Sequence, residues 1–345
     1  MHILSIFVAI FFFGLIIMTH ELGHFTFAKI FKVKVNEFSI GMGPAFFKKK
    51  WGDTEYALRI FPFGGYVAME GEDEDSNDES AFNKKTTWQR AIIIIAGATV
   101  NIITGIIIMA IILNSATLIG APEISGFEEN ASSQAGGLRE GDKIVAIGND
   151  KIYTEFDLSF FMMRDKDAVI DFVVERDGEL INVKHVAFDT KEIDGRTVIV
   201  YDFSILGLEP TFLNVSKYAI LESFSIARIV WISLFDIVTL DFDLNDIAGP
   251  IGTVDIIADT TTEAVNTMDF TSLLTIMAFI AINVGVFNLI PFPALDGGRF
   301  ILILIEGITG KKIPAKVEAA INRAGLLFLL GLMLVVTIND IIKFF

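Results

Sequence analysis

Two histidines four residues apart, with a glutamate beside the first, have the spacing in this chain that most directly permits chemistry. The stretch Met18-Thr19-His20-Glu21-Leu22-Gly23-His24-Phe25 contains the pattern His-Glu-x-x-His. On an α-helix this puts both imidazoles on one face, one turn apart, where they can bind one zinc ion. Glu21 then lies beside the metal-activated water, placed to take its proton. The motif continues an apolar run, Ile3 to Met18, that is hydrophobic enough to enter a bilayer. Ionisable groups at that depth are costly and are usually functional.

A catalytic zinc that keeps one position for water needs a third protein ligand. The chain has no Cys and four His, and neither His2 at the chain start nor His185 is well placed to serve. The later stretch Asn288-Leu289-Ile290-Pro291-Phe292-Pro293-Ala294-Leu295-Asp296-Gly297-Gly298 is the better source. Pro291 and Pro293 interrupt a helix there, and Gly297-Gly298 permit close backbone approach. Irregular backbone at membrane depth must be buried in protein or line a polar cavity. Asp296 is therefore a ligand candidate, although the residues alone leave open an ordinary helix-ending turn with a solvated aspartate.

These groups must be carried by membrane spans. Of 345 residues, 52% are hydrophobic, and the mean hydropathy of +0.58 implies several spans plus a soluble part. The net charge of −16 argues against nucleic-acid binding. Four segments are long enough to cross, at about Ile3–Ala28, Ala91–Leu113, Leu273–Leu289 and Leu326–Ile342. Met1 to Met18 has no Lys or Arg n-region and no small-residue cleavage site, so it reads as a retained first span. A shorter segment, Ile226–Leu240, carries Arg228 and Asp236 and reads as an amphipathic helix on the membrane surface. Lys29, Lys32, Lys34, Lys48 to Lys50, Lys84, Lys85 and Arg90 follow the first span, and Lys311, Lys312, Lys316 and Arg323 lie between the last two. By the positive-inside rule these loops are cytoplasmic, and the N-terminus and the acidic stretch Ala116–Asp269 are outside. The run Glu70 to Asp75 reads as a solvated loop. His20 and Asp296 both sit towards the C-terminal ends of their spans, so those spans must run in the same direction to share a metal. That requires one return crossing between them.

Between spans one and two, Glu55 to Phe61 and Tyr66 to Met69 are strand-like, divided by Gly64-Gly65, and Glu37 to Pro44 also alternates. A small β-hairpin or sheet is expected there. From about Gly120 to Phe212 short strands and turns replace apolar runs. Ser132 to Gly148 predicts a short helix, a turn and a strand. Ile170–Val174 and Glu179–Val186 predict a hairpin across Asp177-Gly178. Gly136-Gly137-Leu138-Arg139-Glu140-Gly141-Asp142-Lys143-Ile144 resembles the Ala-Gly-Leu-x-x-Gly-Asp-x-Ile pattern of bacterial PDZ domains, with Gly136 for Ala. Such domains bind extended peptide at a sheet edge.

His-Glu-x-x-His ending the first span, together with Asn-x-x-Pro-x-Pro-x-Leu-Asp-Gly in a late span, resembles the site-2 protease family of intramembrane zinc metalloproteases. The PDZ-like insert, the four spans and Gly249-Pro250-Ile251-Gly252 are similar to its bacterial RseP branch, with one PDZ unit where some members have two. The resemblance implies that His20, His24 and Asp296 bind one Zn2+ per chain and that Glu21 is the catalytic acid and base. It implies substrate contact at Asn288 and matches Pro291 and Pro293 to the family motif. Ala96-Gly97-Ala98-Thr99-Val100-Asn101 is similar to the family's Ala-Gly-Pro-x-x-Asn, with Ala98 for Pro, and makes Asn101 a further candidate.

The expected fold is thus an α-helical polytopic membrane protein with four transmembrane helices. It has a small cytoplasmic-side β-hairpin region (35–70) and an inserted extracytoplasmic PDZ-like β-rich domain. The expected division is a membrane part at 1–118, the PDZ-like domain at 119–212, a surface helix and connector at 213–270, and a second membrane part at 271–345. The expected setting is the bacterial cell membrane, with the metal towards the cytoplasm. The resemblance implies single-span membrane substrates, such as anti-sigma factors or remnant signal peptides. The competing readings are a non-catalytic receptor or scaffold that binds peptide through the PDZ-like domain, and a zinc transporter, which would need more than one intramembrane ligand cluster.

Overall fold

Residues Ile3–Ile30 contain no proline and are apolar at nearly every position before Thr19, and they form one 28-residue helix, α1. In this computed structural model the described residues are 3–72, 74, 76–165, 167–193, 196–239 and 250–344. The helix gives way to β1 (Val35–Trp51) and β2 (Thr54–Met69), an antiparallel pair turning at Gly52, whose φ is +62°. The pair lies within residues 35–70, and Gly64-Gly65 do not divide it: β2 runs through both. Instead the strands bend where Gly41, Gly43 and Gly64 take φ of +84°, a conformation that disfavours any side chain. Because of these bends, Phe38 faces both Val67 and Tyr56, and Tyr56 also faces Lys49. Gly65 to Ala68 is left as an outer segment, paired among the described residues with Ile40 back to Glu37 alone.

The acidic run after β2 is only partly described, since Asp73 and Asp75 lie outside the described residues. Its described members do more than meet solvent. Glu70 accepts hydrogen bonds from Asn36 and Ser76, and Glu72 pairs with Arg299. The second long helix, α2 (Thr87–Ser115), brings Ile93 and Ile94 into a core shared with Ala28, Phe38, Val67 and Met69. That packing fixes α1, the sheet and α2 against one another.

Residues Met109–Ile229 form a separate compact unit. It contains β3 (Ile119–Phe127), α3 (Ser132–Ala135), β4 (Lys143–Ile147), β5 (Asp150–Lys151), α4 (Glu155–Arg164), β6 (Val169–Arg176) and β7 (Glu179–Ala187), followed by β8 (Thr190–Ile193), β9 (Arg196–Ile199) and β10 (Phe203–Leu208). The main sheet has the order β10-β3-β4-β6-β7, with β5 paired to β4, and β8-β9 make a separate hairpin. Asp177 and Gly178 have φ of +53° and +83°, as a two-residue hairpin turn of the favoured hand requires. Ile144, Phe172, Leu158 and Met162 are buried beneath the sheet and α4.

Helix α5 (Phe212–Thr239) contains the shorter apolar segment noted in the sequence, whose last residue, Leu240, is outside the described residues. Its polar residues near Arg228 face protein. Buried Asp157 accepts from Ser225 Oγ at 2.7 Å and Arg228 Nη2 at 2.7 Å, and completes a capping box with Thr154. Nearby, burial reinforced by the charges of Glu155 and Asp157 pushes the Glu222 carboxyl up to about 7. A folded-state value raised above the unfolded one leaves this contribution intact in acid and removes it as pH rises through neutrality, by about 3 kcal/mol at most. Urea unfolding of the wild type should therefore weaken between about pH 5 and pH 8 by more than that of Glu222→Gln. Parallel pH profiles for the two proteins would contradict this.

The chain continues through α6 (Pro250–Thr267), α7 (Thr271–Leu289), α8 (Asp296–Thr309) and α9 (Ala315–Phe344). Gly249 of the noted Gly-Pro-Ile-Gly stretch is outside the described residues. Among the described residues, four helices are long and apolar enough to cross a membrane: Phe7–Ile30, Thr87–Ser115, Thr271–Leu289 and Lys316–Ile342. Helices α6 and α8 were not expected from sequence. Each is too short and too polar, or too short alone, to read as a span. Asp340 of α9 is buried and accepts the Gly252 N–H in the first turn of α6 at 3.1 Å, anchoring that helix end.

Candidate metal centre

The helical spacing of α1 places the His20 and His24 rings edge to face, 4.8 Å between centroids, with their Nε2 atoms 3.1 Å apart. Asp296 is the first residue of α8, beyond the Pro291-Phe292-Pro293 interruption that ends α7. Its Oδ2 lies 3.1 Å from His20 Nε2 and 3.3 Å from His24 Nε2. Among the described residues this is the single cluster of three or more potential metal ligands.

Three tests of fit to zinc are available. A tetrahedral site with roughly 2.0–2.2 Å bonds has edges of about 3.3–3.6 Å, and the three donor atoms form a triangle close to that size. His24 Nδ1 is 2.8 Å from the Ile93 carbonyl, which can only accept, so the proton sits on Nδ1 and the Nε2 lone pair faces the cluster. Asp296 Oδ2 is buried and receives no hydrogen bond. A cation is what such converging lone pairs lack.

Helix α2 closes one side of this cluster. A Cβ on Gly97 would lie 2.4 Å from His24 Nε2 and 2.8 Å from His20 Nε2. Gly23 of α1 is as tight against α2, where a Cβ would meet the Ala96 carbonyl oxygen at 2.6 Å. The helices therefore cross glycine to glycine beside the imidazoles, a use of small residues common between membrane helices. Asn101, fully buried on α2, accepts from Thr19 Oγ at 2.9 Å, next to His20. Within Ala96 to Asn101, Gly97 is a functional position beside Asn101 that the family resemblance alone does not single out. The glycines at 23 and 97 were the signal for the close crossing.

Glu21 extends on the other side towards the sheet. A Cβ on Gly65 would stand 3.2 Å from Glu21 Cγ, so the bare Gly65 gives the carboxylate arm its room. The outer segment of β2 thus passes the helix at Glu21. Asn288 is partly buried on α7, where its Nδ2 donates to the Val284 carbonyl at 2.9 Å. Pro291 is exposed and Pro293 partly buried. His185 lies on β7 with its side chain 81% exposed, beside Asp171.

The turn that presents Asp296 depends on its glycines. Added Cβ atoms at Gly297 and Gly298 would come within 2.3 Å of the Ile290 oxygen and 2.2 Å of the Phe292 oxygen. Larger residues would drive Asp296 away from the histidines.

Residues 8–332 match the model of peptidase family M50. A Clostridium perfringens protein with a provisional zinc metalloprotease name is 37% identical over 339 residues, 96% of each chain. A Clostridium acetobutylicum protein named in the same provisional way is 35% identical over 349 residues, 99% of this chain and 98% of its own. The regulator of sigma-W protease RasP of Bacillus subtilis is 26% identical over 415 residues, covering 96% of this chain and 97% of its own.

Proposed function

Because this chain belongs to peptidase family M50 and is a zinc metalloprotease with apolar, span-length helices, we propose that it hydrolyses peptide bonds within membrane segments of other proteins. One observation carries the reading. His20 and His24 lie in one candidate span, and Asp296 follows the end of another, yet their donor atoms converge within 3.3 Å.

His20, His24 and Asp296 would hold the metal, with Nε2, Nε2 and Oδ2 as the converging donors. Zinc, when bound, acidifies a water and draws electron density from the scissile carbonyl. Glu21 takes the water's proton on its carboxylate and returns it to the departing amine nitrogen. A helical substrate hides its carbonyls in its own hydrogen bonds and must first unwind. The outer segment Gly65 to Ala68, passing beside Glu21, offers an edge to which the unwound backbone can pair. Asn288 is a candidate contact for the same substrate. Asn101 acts more indirectly, holding Thr19 and through it the helix at His20.

The basic residues flanking the spans support a cytoplasmic location for the loops that follow α1 and precede α9. On that reading the metal lies towards the cytoplasm of a bacterial cell membrane, and the β-rich unit lies outside. Its helix-turn-strand at Ser132–Ile147 and its hairpin at β6-β7 support a PDZ-like domain. Such a domain could bind peptide or bar substrates with bulky outer parts until they are trimmed. Since one relative is named as a regulator of sigma-W, anti-sigma factors are the first substrates to try, with remnant signal peptides second.

Reconstitution in vesicles tests the proposal. Purified protein and a single-span substrate should give products whose new ends, read by mass spectrometry, fall inside the substrate's apolar segment. Asn288→Ala should slow that cleavage without loss of zinc. A substrate with a folded outer domain should be cut more slowly than its trimmed form. Cleavage confined to sequence outside the apolar segment would overturn the intramembrane reading.

A further inference from the structure

Helix α9 supplies no metal ligand, yet one stripe of its surface meets the Asp296 turn at four points. Glu318, Asn322, Gly325 and Phe328 follow at intervals of four, three and three residues, and so lie along one side of the helix. Phe328 packs on Phe292, with ring centroids 5.6 Å apart. Gly325 is buried against Pro293, where a Cβ would lie 2.4 Å from the proline's carbonyl oxygen. Asn322 Oδ1 accepts the Ala294 N–H at 3.3 Å. Glu318 reaches Arg299 Nε at 3.6 Å, one turn beyond Asp296. Arg299 Nη1 also pairs with Glu72 at 2.5 Å.

The turn needs outside support. Pro291 and Pro293 have no N–H, so the turn has few backbone donors of its own. Ala294 has φ of +75°, a left-handed conformation that a side chain disfavours and that persists only where the surroundings enforce it. Asn322 is itself partly buried, a placement that leaves a polar side chain in need of a partner. Its bond to Ala294, two residues before Asp296, accounts for both observations.

We propose that this stripe of α9 sets the direction of the Asp296 carboxylate, with Asn322 as the principal positioning residue. The proposal rests on reading Asp296 as a zinc ligand. It is tested on full-length protein in detergent, with Co2+ replacing zinc so that visible absorption reports the ligand geometry and chelator competition reports affinity. Asn322→Ala should weaken metal binding by roughly 10- to 100-fold, as loss of supporting partners to ligands typically does, and should alter the cobalt bands. Asn322→Asp keeps an acceptor oxygen for Ala294 and should recover much of both. Gly325→Ala, which pushes α9 off Pro293, should weaken binding with Asn322 intact. Leu327→Ala, at an exposed position on another side of α9, should change neither. Wild-type affinity and bands in Asn322→Ala, or an equal loss in Leu327→Ala, would overturn the proposal. Wild-type protein that takes up no cobalt would overturn the metal reading itself, and this proposal with it.

Discussion

Glu21→Gln should abolish turnover and leave zinc in place. The substitution preserves the size of the side chain and its hydrogen-bonding reach but removes the ability to accept a proton from water. Nothing that holds the metal changes: His20, His24 and Asp296 remain, and the His24 Nδ1 bond to Ile93 is on the far side of that ring from the cluster. Gly65 still leaves room for a side chain of this size. Loss of a general base costs roughly 10²–10⁴ in rate. Cleavage of a reconstituted single-span substrate and metal analysis of the same preparation give both numbers. Loss of zinc together with activity would make Glu21 a structural residue, and activity near the wild-type level would remove it from the mechanism.

Gly97→Ala should empty the metal site although it touches no ligand by charge. The new methyl would lie 2.4 Å from His24 Nε2 and 2.8 Å from His20 Nε2, inside the distance real Cβ atoms adopt. Neither partner can retreat easily. His24 is tied to the Ile93 carbonyl of the same α2 that carries the methyl, and Gly23 holds α1 against Ala96. The imidazoles must therefore leave their positions, and zinc affinity should fall by at least about 100-fold, the upper end for supporting residues. Gly331→Ala is the matched control, since its Cβ would meet nothing within 4 Å. A Gly97→Ala protein with full zinc content would show that the α1–α2 crossing is looser than described.

The parts of the site that sequence revealed are those with a period. His20, Glu21 and His24 are legible because one helical turn separates the two histidines, and the four spans are legible because length and hydropathy suffice. The turn at Asp177-Gly178 is legible because few residue pairs accept two positive φ angles. What stayed hidden depends on tertiary contact. No pattern announces that the Ile93 carbonyl orients His24 or that Asn322 reaches Ala294, and Gly23 and Gly97 mark a close helix crossing without disclosing that Gly97 faces two imidazoles. The continuity of β2 is hidden because Gly64-Gly65 reads as a break, whereas a glycine at φ +84° can bend a strand that continues. Glu72 read as one charge in a solvated run, and its pairing with Arg299 is set by α8, a helix that the apolar periodicity between the last two spans did not disclose.

X-ray absorption at the zinc edge, on wild type and Asp296→Ala, addresses the centre directly. One zinc per chain is expected, bound by two imidazoles and otherwise by oxygen. In Asp296→Ala the imidazole scattering should persist in whatever zinc remains, with an oxygen contribution lost or replaced and affinity lowered. A first shell and affinity unchanged by Asp296→Ala, or zinc without two imidazoles, would contradict a centre built from His20, His24 and Asp296.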